Sequence, residues 1–149
     1  MKKLLAFTAL LVASSSSFAT TKHVHNWKAG SGQNWHSAII LTNVCNKDNA
    51  DVVVKFWDST GALLSNKTLS AGSVTNSEGE ISFTLEPHQS THIQISAANF
   101  SKFTMGSASV SSYYADPGVE CLTGSHHSYY YASVGGHGLS YLLNSGEPF

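Results

Sequence analysis

WHSAIILTNVCNKDNADVVVKFWDSTGALL, Trp35 to Leu64, holds two apolar, β-branched runs, Ala38 to Val44 and Asp51 to Trp57, around the polar Asn46, Lys47, Asp48 and Asn49. β-Branched side chains are stiff and pack well on a pleated surface, whereas Asn and Asp bond their own backbone in turns. The stretch therefore predicts two strands about a polar turn, as a hairpin or a pair of neighbouring strands. Lys55 belongs in water, and successive side chains of a strand alternate between faces. Val52, Val54 and Phe56 are thus expected in the core, with Val53 and Trp57 on the outer face. Asp58-Ser59-Thr60-Gly61 is a second turn.

Working outward, Leu63 to Leu69 reads as a short strand and Ser70 to Gly79 as a loop. Ile81, Phe83 and Leu85 alternate with Glu80, Ser82, Thr84 and Glu86, which is the pattern of a half-buried strand that Pro87 ends. Ile93 and Ile95 alternate with His92, Gln94 and Ser96 in the next. In FTMGSASVSSYY, Phe103 and Met105 are out of step with Ala108 and Val110, which predicts a bulge at Gly106 or Ser107. Asp116-Pro117-Gly118 is a turn, Gly135-Gly136-His137-Gly138 reads as another, and Leu139, Tyr141 and Leu143 alternate in a last strand. There is no helical stripe. Short strands at roughly ten-residue spacing predict an all-β fold, a single-domain antiparallel β-sandwich with immunoglobulin-like packing.

Residues 1–19 have the parts of a signal peptide: Lys2 and Lys3, an apolar run from Leu4 to Ala13, and small residues ending at Ala19. The apolar run is about half of the ~20 residues that a membrane-spanning helix needs, and no later run is longer. The expected location is secreted or periplasmic, with no membrane span. Residues 20–32 read as an N-terminal arm or first strand and 33–149 as the sandwich domain. Without Lys2 and Lys3 the chain has six Lys against nine acidic residues, and it has no Arg. A nucleic-acid partner would call for a basic stripe with guanidinium groups, so that class is excluded. Cys45 and Cys121 are an even pair in an exported chain, and a disulfide is expected.

The quoted stretch, followed by ISFTLEPHQSTHIQI and the closing LLNSGEPF, resembles small secreted bacterial β-sandwich proteins. The shared order is Trp35-x-Ser37, an apolar strand ending in Thr42-Asn43, Val52-x-Val54-x-Phe56, the turn Asp58-x-x-Gly61, and Phe83-x-Leu85-x-Pro87 with His88 and Thr91. The resemblance implies the sandwich fold and brings no enzymatic activity. Apart from His88, neither the histidines nor the two cysteines belong to its pattern.

Three kinds of site are candidates. The first is assembly: His23, Val24, His25 and Trp27 lie in an extended segment before Gly30-Ser31-Gly32, and such a segment can add to a sheet edge of another copy and build filaments. The second is carbohydrate binding, because Trp57, Tyr129, Tyr130 and Tyr131 offer flat rings, and consecutive tyrosines on a strand cannot all face inward. The third is a metal site: eight histidines invite zinc or copper, and His23 and His25, two apart on a strand, share a face. Catalysis has no support, since the chain lacks a G-x-S-x-G elbow, an H-E-x-x-H pair and a phosphate-binding Gly-rich loop. The expected function is that of an exported, non-catalytic protein acting by binding or self-assembly, with protein, including copies of itself, or carbohydrate as partner.

Overall fold

The computed structural model describes residues 19–149 except 32, 33, 66, 73, 77, 97, 98, 117, 133 and 134, with the backbone alone at 74, 131, 132, 135 and 136. The expected signal peptide lies outside the described residues but for Ala19. Among the described residues, ten strands form two antiparallel sheets packed as a sandwich. The four-stranded sheet runs β1 (Thr20–Ala29), β8 (Thr104–Tyr113), β3 (Ala50–Asp58), β6 (Glu80–Leu85). The six-stranded sheet runs β10 (Gly135–Leu142), β9 (Leu122–Ala132), β2 (Trp35–Asn43), β7 (Ser90–Ile95), β4 (Leu69–Ala71), β5 (Val74–Asn76).

Both apolar runs of the Trp35–Leu64 stretch are strands, yet they do not pair with one another. β2 lies between β7 and β9, whereas β3 lies between β6 and β8 in the opposite sheet. The polar turn therefore crosses the sandwich, and the expected hairpin is an arch. Ile39 and Leu41 face the core from one side, Val52, Val54 and Phe56 from the other, all buried. Alternation of period two sets which face is buried and is silent on which strand lies alongside. Asn43, fully buried, holds the crossing: its amide donates to the carbonyls of Asp48 (2.8 Å) and Leu85 (3.0 Å), and its side-chain oxygen accepts from Cys45 N–H (3.0 Å). Those three bonds replace the ladder that a hairpin would have supplied.

Cys45 and Cys121 are joined, with Cα atoms 5.2 Å apart, at the ends of the adjacent strands β2 and β9. The bond thus lies along one sheet, unlike the bridge between facing sheets in antibody domains. Phe149 is also locked in, since its backbone exchanges hydrogen bonds with Leu122 at 2.9 and 3.0 Å and its ring is fully buried.

Three further expectations change: among its described residues Leu63 to Leu69 is not a strand, since Leu63 makes only an isolated bridge to Trp57 and β4 begins at Leu69. Ser70 to Gly79 is not an open loop but carries the β4–β5 hairpin, and Gly135–Gly138 is not a turn but the first half of β10, paired with Ala132 to Tyr129. The out-of-step residues of β8 have a different cause from the expected bulge. The irregularity belongs to β1, between Val24 and Trp27, where Asn26 takes φ 58°. On β8, Gly106, Ala108 and Val110 keep one inward row, and Phe103 and Met105 lie on the exposed side. Gly106 looks out of pattern because its side-chain place is occupied: a Cβ there would stand 2.9 Å from the Trp27 indole and 1.9 Å from the Trp57 carbonyl oxygen.

Candidate functional site

The sequence candidates end up in separate places. Thr20–Ala29 is the first strand of its own sheet, with Val24 and Trp27 buried and His23 and His25 exposed. Gly30 does not act as a loose hinge, because it exchanges backbone bonds with Trp35 (3.2 and 3.1 Å) and a Cβ on it would stand 2.5 Å from the Phe103 Cα. Trp57 is half-buried on β3, in the sheet opposite Tyr129 and Tyr130, so these rings do not form one platform. Tyr129 stacks on His36 on the outer face of β9, at 5.5 Å and 10°. Tyr130 lies on the opposite face, between Trp35 (4.9 Å) and His137 (5.5 Å). The Tyr131 backbone pairs with Gly136, and its side chain lies outside the described residues. Among the described residues no group of three or more His, Cys, Asp or Glu side chains is placed to hold a metal ion, and His23 and His25 gain no third ligand.

The tertiary structure assembles a different group, on the side where β1 faces the β9–β10 wing of the larger sheet. A cleft of about 230 Å³ is lined there by His25, Lys28, His126, Ser128, Leu139 and Tyr141. The Tyr141 hydroxyl closes one end, accepting from His25 N–H and donating to the His25 carbonyl, both at 2.8 Å. Further along β1, Ser37 Oγ accepts from Lys28 N–H (2.8 Å) and donates to the Lys28 carbonyl (2.9 Å). The Ser37 proton is committed, so Ser128 must donate across the 2.8 Å contact between the two hydroxyls. Ser128 can then only accept from His126 Nε2, 3.3 Å away. This chain sets the tautomer: His126 carries its proton on Nε2, and the buried Nδ1 is a bare acceptor with no hydrogen-bond partner among the described residues.

Burial, helped by His127 and Lys28 nearby, depresses the His126 pKa to about 4. An unfolded histidine titrates near 6.5, so between those values the unfolded chain binds a proton that the native protein refuses. Stability is accordingly expected to fall as pH drops from about 6.5 to about 4, by about 3 kcal/mol in all. Urea denaturation of the wild type and of His126→Leu at pH 7 and pH 4.5 checks this. The wild type should lose about 2 kcal/mol more than the variant; equal losses would place the titration elsewhere.

The four sheet edges differ in how they are guarded. β1 carries Lys22 and Lys28 and the bulge at Asn26, and its backbone groups at His25 and Lys28 are taken by Tyr141 and Ser37. β5 is three residues long. β6 begins with Glu80, paired to Lys55 at 3.0 Å, and packs beside β4 and β5. Bulges, charges, shortness and cover are the usual devices that stop edge-to-edge pairing. Among the described residues β10 shows none of them. It is eight residues long, reads GGHGLSYL, and exposes 64% of Leu139 and 62% of Leu142. No Lys, Arg, Asp or Glu occurs from Cys121 to Gly146. Sequence reading passed over this edge because three glycines within four residues read as a turn. The signal that was present is the uncharged run through two successive strands.

No protein-family model matches the chain. The curated proteins offer no match either. Among solved structures the chain is similar to the crystal structure of Thermotoga maritima 1070, at 10% identity and a TM-score of 0.48, covering 83% of this chain and 97% of that one. No family is assigned to the chain. Among the described residues no helix is long and apolar enough to cross a membrane.

Proposed function

We propose that this is an exported, non-catalytic protein that works by accepting an extended protein strand along the open edge of β10. The observation that carries the reading is the contrast among the edges: three are guarded, and the fourth is long, uncharged and flanked by exposed leucines. An edge strand offers a row of unpaired N–H and C=O groups, and an added strand satisfies them while its alternate side chains meet Leu139 on one face and Leu142 on the other. The disulfide supports the exported setting, because such bonds persist in oxidising compartments. β1 supplies no ready donor strand for exchange into filaments, because leaving its sheet would take the fully buried Trp27 out of the core.

A photo-crosslinking side chain at Ser140, which is exposed on β10, tests the reading in the cells that make the protein. We expect a discrete protein adduct from Ser140 and none from Ser82 on β6, which is also exposed. Adding Leu142→Lys should reduce the Ser140 adduct at least about tenfold, since an edge lysine resists strand addition. No adduct, or adducts of equal yield at both positions, would overturn the proposal.

A further inference from the structure

We infer that the strand added at β10 is β10 of a second copy, paired antiparallel about a two-fold axis at Leu139; this rests on the edge reading above. Strands of opposite direction related by a two-fold axis normal to the sheet keep each face on its own side, so a residue can oppose only residues of its own face. A two-fold at Leu139 satisfies this for the whole of 136–142. It sets Leu139 against Leu139, His137 against Tyr141, Gly138 against Ser140, and Gly136 against Leu142.

That register matches sizes on both faces. Each Leu142, 62% exposed in the single chain, would lie over the bare backbone of Gly136 in the other copy. The two Leu139 side chains, 64% exposed, would cover one another at the centre. His137 and Tyr141 form an aromatic cross-strand pair on the same face as Leu139, next to the Tyr130 and His126 rings that they already touch at 5.5 and 4.9 Å. Both neighbouring registers also preserve the faces. The one centred on Gly138 sets glycine against glycine and buries no side chain at its centre. The one centred on Ser140 sets serine against serine and pairs only 138–142 within β10, because Leu143 already lies in the turn that follows. Like meets like without repulsion, because neither β9 nor β10 carries a charged side chain. Pairing of two such edges joins the six-stranded sheets into one continuous sheet, and because the contact is isologous the assembly closes as a dimer and does not run on into a filament.

Two cysteine variants of the purified chain with its native disulfide intact decide the matter. Leu139→Cys and Leu142→Cys present new thiols at positions of nearly equal exposure, so chance collisions would link both alike. In the two-fold pairing, directly opposed Cβ atoms at position 139 stand about 5 Å apart, within reach of a disulfide, whereas those at position 142 are separated by six residues of strand. On mild oxidation Leu139→Cys should give covalent dimer at least about tenfold faster than Leu142→Cys. The wild type should sediment at twice the chain mass at high concentration. Equal rates, or a wild type that sediments as a single chain, would overturn the self-pairing. If the cellular adduct at Ser140 is then found with a different protein, the edge reading stands without the homodimer; if there is no adduct, both fall.

Discussion

Trp27→Ala is expected to lower the free energy of unfolding by about 3–5 kcal/mol, a large fraction of the roughly 5–15 kcal/mol that holds a domain folded. The indole is 0% exposed, stands 5.7 Å from the Phe100 ring and fills the place that Gly106 leaves open. Its Nε1–H donates at 3.0 Å to two carbonyls, those of Trp57 and Ser107. Truncation removes the apolar contacts, leaves a cavity that the surrounding strands cannot collapse into, and removes the indole N–H from both carbonyls. Urea denaturation measures the effect, with Trp27→Phe as the companion that keeps a ring and loses only the N–H, at a cost of about 1–2 kcal/mol. A loss under about 1 kcal/mol for the alanine variant would mean that the indole is not a core side chain. Removal of Thr20 to Trp27 is expected for the same reason to prevent folding, and not to release an intact domain from a dispensable arm.

Opening the Cys45–Cys121 bond has an effect of the same order. It closes a separation of 76 residues, and loop-closure entropy for a loop of that size amounts to about 4–5 kcal/mol in the chain-entropy treatment. The double variant Cys45→Ala/Cys121→Ala avoids leaving a reactive thiol. We expect it to lose about 2–5 kcal/mol, and its melting temperature to fall by about 10 °C or more. Adjacent strand ends should also fray, because the bond holds β2 to β9 where the ladder stops at Asn43 and Leu122. Faster amide exchange at Val44, whose N–H donates to the Cys121 carbonyl at 2.8 Å, would register that fraying. Two free thiols titrated in the native protein, or a variant as stable as the wild type, would count against the bond as a structural element.

The motif residues of the Trp35–Leu64 stretch acquire individual physical roles from the structure. Asn43 of the Thr42-Asn43 pair holds together the two chain crossings, bonding Asp48 and Leu85 through its side chain and Gln89 and His88 through its backbone. Asp58 of the Asp58-x-x-Gly61 turn accepts from the Thr60 hydroxyl and N–H and from Ala62 N–H, bonds that hold its carboxyl below the usual range. Gly61 takes φ 84°, a conformation for which glycine carries no Cβ penalty. Such residues set where a strand stops and in which direction the chain leaves.

What could be read from the sequence alone was everything that rests on local period and composition. The inward row Val52, Val54 and Phe56 shows in the alternation around Lys55, the opposite-facing pair His126 and His127 follows from strand geometry, and the pairing of Cys45 with Cys121 follows from there being only two cysteines. The all-β class came from the absence of any helical stripe. Tertiary structure alone decided which strands are neighbours, because a buried face can be satisfied by any partner of matching hydrophobicity. Hence β2 and β3, adjacent in the chain, sit in opposite sheets. It also decided that Gly135–Gly138 extends a strand, since the ladder to Tyr129, Tyr130 and Tyr131 outweighs the turn preference of glycine. The cleft around His126 arises in the same way. Its side chains come from β1 and, about a hundred residues further along the chain, from β9 and β10, and only the packing of one sheet against the other brings the two groups into contact.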